Sequence, residues 1–163
     1  MASKNDPGWF ESGGAAVRPE WIDYNGHMNV GYYLVAFDQA TEALCAHLGV
    51  GEAYRRKADA SMFVLEAHVT YDQEVREGAP LMFRTRIVDH DAKRIHLFHR
   101  MFHAEEGYLA ATNELMCMHV DLAARRSAPF PPDVVERVRE AAIVHAGDIP
   151  STDINRRIAI RRG

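Results

Sequence analysis

The feature that most constrains this chain is one long amphipathic segment followed by an unbroken series of strand-like runs. Residues 30–48 carry Val30, Tyr33, Leu34, Phe37, Ala40, Thr41, Leu44, Cys45 and Leu48 at the i, i+3, i+4, i+7 spacing of one helix face. Asn29 stands where an N-cap belongs, and Gly49 and Gly51 stop the helix. Four runs follow at 62–74, 81–89, 94–103 and 108–121. In the first, alternation puts Phe63, Leu65, Ala67, Val69 and Tyr71 on one face, against Glu66, His68, Thr70 and Asp72 on the other. The separators Glu77-Gly78-Ala79-Pro80, His90-Asp91-Ala92-Lys93 and Glu105-Glu106-Gly107 are hairpin turns in length and composition.

A short first strand is expected at 16–19, and a second helix at 133–145 behind Pro129, Pro131 and Pro132. Strands grouped apart from helices imply an α+β fold, an antiparallel sheet of about five strands wrapped around the long central helix. Such a sheet keeps a free edge, so a homodimer or homotetramer is expected.

A chain of 163 residues is of one-domain size. Residues 1–15 read as a mobile N-terminal extension and 16–146 as the single domain. Residues 147–163 read as a basic tail holding Arg156, Arg157, Arg161 and Arg162. A net charge of −4 opposes non-specific nucleic-acid binding, which needs a basic excess. Cys45 and Cys117 lie in apolar segments with no metal or redox spacing and read as buried free thiols of a reducing cytosol. The first sixteen residues lack the apolar core of a signal peptide, and no apolar run is long enough to span a membrane. A cytoplasmic protein is expected.

The densest chemistry lies in the loop before the long helix, where Asp23, Asn25, His27 and Asn29 alternate with Tyr24, Gly26 and Met28. The loop feeds a helix N-terminus, whose unpaired amides and positive dipole end can hold a developing oxyanion. A neighbouring carboxylate can attack a thioester carbonyl or deprotonate water, and a thiolate leaves without much acid assistance. The same residues also suit a capped turn held by its own side chains. The loop composition leaves both readings open.

The run Asp23-Tyr24-Asn25-Gly26-His27-Met28-Asn29, with Tyr33, Phe37, Asp38 and Ala40 behind it, resembles the signature of the 4-hydroxybenzoyl-CoA thioesterase-like family of hotdog proteins. The resemblance covers residues 16–130 and implies a hotdog fold and an acyl-CoA thioesterase. It implies Asp23 as the catalytic carboxylate, the Val30 amide as the group that polarises the carbonyl, and His27 and Asn29 as residues shaping the loop and orienting the thioester or water. Two departures stand out. Trp21 occupies the place of a second Asp in many members, and Val30 that of a second Asn. Hotdog thioesterases of another type carry their carboxylate on the central helix, which makes Asp38 and Glu42 the substitutes.

Substrate contacts are expected from Trp21, Tyr24, Asn25, Gly26 and Tyr33 around the loop, and from Arg94 toward the coenzyme A phosphates. Lys93, Arg125, Arg126 and the tail arginines are further phosphate candidates. Trp21, Tyr24, Tyr32 and Tyr33 crowd the loop; aromatic rings can cage a quaternary ammonium, although four aromatics near a buried helix are more often core. Residues 21–27 together with Asp91-Ala92-Lys93-Arg94-Ile95-His96-Leu97-Phe98-His99 are similar to thioesterases associated with carnitine breakdown, which places betainyl-CoA among the small acyl-CoAs expected as substrate. No cofactor is expected. No metal is expected either, because His99 and His103 share one strand face while His96 lies on the other. Glu66, His68 and Glu114 could each line a pocket, but read as solvent-facing in preference to that. The competing readings are a non-catalytic acyl-CoA-binding hotdog and an (R)-enoyl-CoA hydratase. The hydratase pairs Asp with a His five residues on, whereas His27 comes four after Asp23.

Overall fold

The computed structural model describes residues 8–146 and 158–160. The long helix α1 (Val30–His47) is followed by a short helix α2 (Glu52–Ala58) and closes on α3 (Pro132–His145). The strands are β1 (Phe10–Gly13), β2 (Ala60–Tyr71), β3 (Leu81–His90), β4 (Arg94–His103), β5 (Leu109–Asp121) and β6 (Arg126–Ser127). They form one sheet in the order β1-β3-β4-β5-β2, with β6 against β5 and every pairing antiparallel. The sheet curls around α1, and the hotdog fold expected from the sequence is what forms.

Several elements differ from expectation: β6 is additional, and residues 77–80 make no hairpin, because β2 pairs with β5 and not with β3. The first strand is Phe10–Gly13, not 16–19. It pairs with β3 from Phe10 opposite Thr85 to Gly13 opposite Met82. Ahead of it Trp9 packs on Phe98 and takes the guanidinium of Arg86 over its ring at 4.5 Å. The tail arginines lie outside the described residues, while Ile158 and Ile160 are buried against Met116 on the sheet. The polar stretch after Gly51 forms α2 and is tied down by its Tyr54 hydroxyl, 2.9 Å from His119 Nε2.

The core lies between α1 and the sheet. Tyr33, Ala36, Phe37, Ala40, Thr41, Leu44 and Cys45 are buried, and Phe37 packs against Phe83 and the His99 ring. Truncating such a buried ring costs about 3–5 kcal/mol. His99 pins helix to sheet: its Nδ1 lies 2.7 Å from Thr85 Oγ1 and its Nε2 3.1 Å from Thr41 Oγ1.

The α1 stripe is wider than the sheet covers. Val30, Leu34 and Val35 remain exposed. On β2, Phe63, Val64, Leu65 and Tyr71 are exposed along the outer strand. A register shift between Val64 and Glu66 interrupts β2. Val64, Ala67, Val69 and Tyr71 oppose Cys117, Leu115, Asn113 and Ala111, whereas Phe63 opposes Met118. Directly opposed residues share a face, so the bulge moves Phe63 off the face that holds Tyr71. Simple alternation fails there.

Candidate active site

A turn of 3₁₀ helix, Pro19–Trp21, buries Trp21 and stacks its ring on Tyr32 at 5.7 Å. From there the chain doubles back. Ile22 bridges Met28, Asp23 N–H donates to the His27 carbonyl at 3.1 Å, and Gly26 N–H donates to the Asp23 carbonyl at 3.0 Å. Gly26 has φ +82°, a conformation that disfavours a side chain. The miniature hairpin is anchored at its base by Met28 N–H to the Val75 carbonyl and Asn29 N–H to the Trp21 carbonyl, both 2.9 Å. Ile22 and Met28 turn inward to the core. Asp23 and His27, one place along each arm, therefore share the opposite face.

The helix start is capped economically. Asn29 Oδ1 accepts from Gly31 N–H at 3.0 Å, and the Asn29 carbonyl accepts from Tyr32 N–H at 3.0 Å. The Val30 amide between them has no hydrogen-bond partner among the described residues. An unpaired N–H at the positive end of an 18-residue helix is a ready oxyanion donor.

Beside it opens a cleft of about 160 Å³. His27, Val30 and Tyr33 form one wall, and Tyr71, Asp72 and Glu74 at the end of β2 form the other. The Tyr33 and Tyr71 rings meet edge to face with centroids 5.1 Å apart, and the Tyr71 hydroxyl reaches the Val30 carbonyl at 3.4 Å. Burial, opposed by a hydrogen bond with the Val75 backbone, pushes the Tyr33 phenol above its ordinary range and keeps it neutral. His27 Nε2 lies 3.7 Å from Glu74 Oε2, and Arg76 Nη2 lies 3.1 Å from Glu74 Oε1. Asp23 pairs across the hairpin with His27, which lines the cleft, and is not itself part of the lining.

Not every expected site residue gathers here. Tyr24 projects from the loop tip, 98% exposed. Asn25 is exposed as well, and its amide donates to Asp23 Oδ1 at 2.8 Å. Trp21 faces the core, so it braces the loop and offers no open wall. Arg94 is bound by Asp91, its Nε and Nη2 lying 2.8 and 2.6 Å from Oδ2 in the β3–β4 turn. It opposes Met118, seven residues along β5 from Ala111, the partner of Tyr71. At about 3.3 Å per residue that is about 23 Å within one chain. Asp38 and Glu42 lie on the exposed side of α1, about 12 and 18 Å along the axis from Val30 at 1.5 Å per residue. Burial, reinforced by Asp38, raises the Glu42 carboxyl.

Glu114 corrects the solvent-facing expectation: it is buried and its Oε1 lies 2.8 Å from His96 Nε2. Glu66 is exposed and His68 half-buried. Among the described residues no group of three or more His, Cys, Asp or Glu is placed to hold a metal ion, and no helix is long and apolar enough to cross a membrane. Tyr71, Asp72 and Glu74 were not legible as site residues. Only the alternation that gave Tyr71 the face of Val69 pointed toward the helix.

Residues 17–138 match the thioesterase-like superfamily. The chain belongs to that superfamily. The protein is an acyl-CoA thioesterase, as its relatives bear out. It is 43% identical to the betainyl-CoA thioesterase of Pseudomonas aeruginosa, over 79% of this chain and 81% of that one. It is 37% identical to the L-carnitine dehydrogenase/betainyl-CoA thioesterase of Agrobacterium fabrum, over 83% of this chain but 28% of that longer protein. A Staphylococcus aureus protein solved in complex with CoA superposes with a TM-score of 0.83 at 29% identity, covering 94% of this chain and 96% of its own. The DHNA-CoA thioesterase of Staphylococcus aureus shares the fold, with a TM-score of 0.76 at 18% identity over 83% of this chain and 92% of its own.

Proposed function

We propose that this thioesterase hydrolyses betainyl-CoA to betaine and free CoA, with Asp23 as the reacting carboxylate and the Val30 amide as the oxyanion donor. The observation that carries the reading is the unpartnered Val30 N–H beside a hairpin that sets Asp23 and His27 on one face. The thioester oxygen accepts from Val30 N–H, which stabilises the negative charge as the carbonyl carbon becomes tetrahedral. Asp23 either adds to that carbon, giving an acyl-aspartyl anhydride that water opens, or takes a proton from the attacking water. In both routes the C–S bond breaks and CoA leaves as thiolate. The acyl group follows from the relatives named for betainyl-CoA.

The working unit in this proposal is a homodimer. The outer edge of β2, 12 residues long, is unpaired among the described residues at the end of the sheet, and it carries exposed Val64, Leu65 and Tyr71. Strand edges of this kind are templates for pairing, and a two-fold antiparallel match runs the start of one β2 beside the end of the other. The basic corner formed by Lys93, Arg125 and Arg126 lies at the start of β2, around the cavity lined by Phe63, Val120 and Arg125. In the dimer it approaches the Tyr71 end of the partner, where CoA phosphates need cations. Buried free Cys45 and Cys117 support a reducing, cytoplasmic setting.

Thiol release from a panel of acyl-CoAs tests the substrate. Betainyl-CoA is expected to give the highest kcat/KM. A clear preference for an uncharged aliphatic or aromatic acyl group contradicts the substrate reading and leaves the thioesterase chemistry standing.

A further inference from the structure

We infer that the cleft beside the Tyr33–Tyr71 ring pair receives a quaternary ammonium group of the acyl chain, with Tyr71 and Glu74 as residues that set specificity for it. The inference rests on the betainyl-CoA reading and deepens it.

Chain length makes the first demand. In a betainyl thioester one methylene separates the carbonyl carbon from the nitrogen, so a cation site must adjoin the oxyanion donor. Val30 supplies that donor and also lines the cleft. A cleft of about 160 Å³ has room for a group as small as a nitrogen with its methyls and methylene.

Chemistry makes the second. A trimethylammonium donates no strong hydrogen bond, so it needs aromatic faces and nearby negative charge in place of directed acceptors. Tyr33 and Tyr71 both line the cleft, and their rings meet edge to face at 88° with centroids 5.1 Å apart, which gives it an aromatic corner. Met28 and Val30 add apolar surface for the methyls. Asp72 and Glu74 line the same cleft. Glu74 is shared with Arg76 and His27, yet two carboxylates against one guanidinium leave the rim acidic. The adjoining depression of about 520 Å³ adds Glu77, Glu105 and Glu106, which extends the negative potential and turns CoA phosphates away from this side.

The aromatic crowd expected from the sequence is thus redistributed. Trp21 and Tyr32 stack on each other, Tyr24 faces solvent, and Tyr33 takes Tyr71 from β2 as its partner.

The test compares betainyl-CoA with tert-butylacetyl-CoA, the same shape with carbon in place of the charged nitrogen. Wild type is expected to favour betainyl-CoA by about tenfold or more in kcat/KM. Tyr71→Leu and Glu74→Gln are each expected to cut that ratio about fivefold, mainly through KM, while Tyr71→Phe keeps the ring and holds it. Equal kcat/KM for the two substrates in wild type, or a ratio unmoved in both Tyr71→Leu and the exposed Glu74→Gln, overturns the inference with betainyl-CoA hydrolysis intact. Turnover of neither substrate while another acyl-CoA is hydrolysed removes the betainyl reading and this one with it.

Discussion

Asn29 Oδ1 accepts the Gly31 amide at 3.0 Å, so a single side chain both caps α1 and fixes the direction in which the neighbouring Val30 N–H points. Asn29→Ala removes that cap at a cost of about 1 kcal/mol in stability. Because the first turn frays, kcat is expected to fall about tenfold or more. Asn29→Asp keeps the acceptor and is expected to restore the denaturation midpoint. Urea unfolding and steady-state kinetics on both variants check the pair.

His99 gives the fold an acid limit. Burial lowers its pKa to about 3 from the ordinary 6.5. The unfolded chain therefore takes up a proton below pH 6.5 that the folded chain refuses until about 3. Stability contributed by the neutral ring is complete above pH 6.5 and is lost as pH falls through that window, a change of a few kcal/mol. His145, lowered chiefly by burial and further by Arg86 and His47, acts in the same direction. Denaturant midpoints across pH 7 to 4 are expected to fall, with the His99 ring resonances staying those of neutral imidazole.

Cys45 and Cys117 take no part in the chemistry. Burial, aided by Glu42 and Asp38, pushes the Cys45 thiol up to about 12, and burial drives Cys117 up likewise. Neither thiol is expected to react with an aromatic disulfide reagent at pH 8 until the protein unfolds, and activity is expected to survive the treatment. Rapid labelling of the native protein with loss of turnover contradicts this.

The β2 edge offers a direct test of assembly. Leu65→Lys places a charge in the exposed apolar strip beside Val64 and is expected to shift the sedimentation mass from dimer to monomer. Acyl-CoA hydrolysis is expected to fall with it, since the basic corner would no longer reach its neighbour. A monomeric wild type contradicts the proposed unit.

Much of this was legible in the chain because local rules govern it. Asn29, the apolar spacing from Tyr33 to Cys45 and the glycine stop define α1, and turn chemistry separates β3, β4 and β5 correctly. The misses have tertiary causes. The Val64–Glu66 bulge shifts register against β5, and no residue in β2 announces it. Phe10–Gly13 pairs with β3, about 70 residues on, so its strand character comes from its partner. The same reason hid Tyr71 and Glu74, which reach the loop only because β2 ends beside α1. Arg94 was readable in hindsight: Asp91 stands three residues before it in a tight turn, close enough to occupy its guanidinium.

In the proposed mechanism the Asp23 carboxylate performs the hydrolysis. Asp23→Asn tests it most directly, because Asn retains an oxygen to accept the Asn25 amide now held at 2.8 Å and the loop should keep its shape. Thiol release from the preferred acyl-CoA is expected to drop by about 100- to 10,000-fold with unchanged circular dichroism and sedimentation mass. Activity retained in the folded variant contradicts the account and moves the chemistry to Asp38 or Glu42 on the central helix.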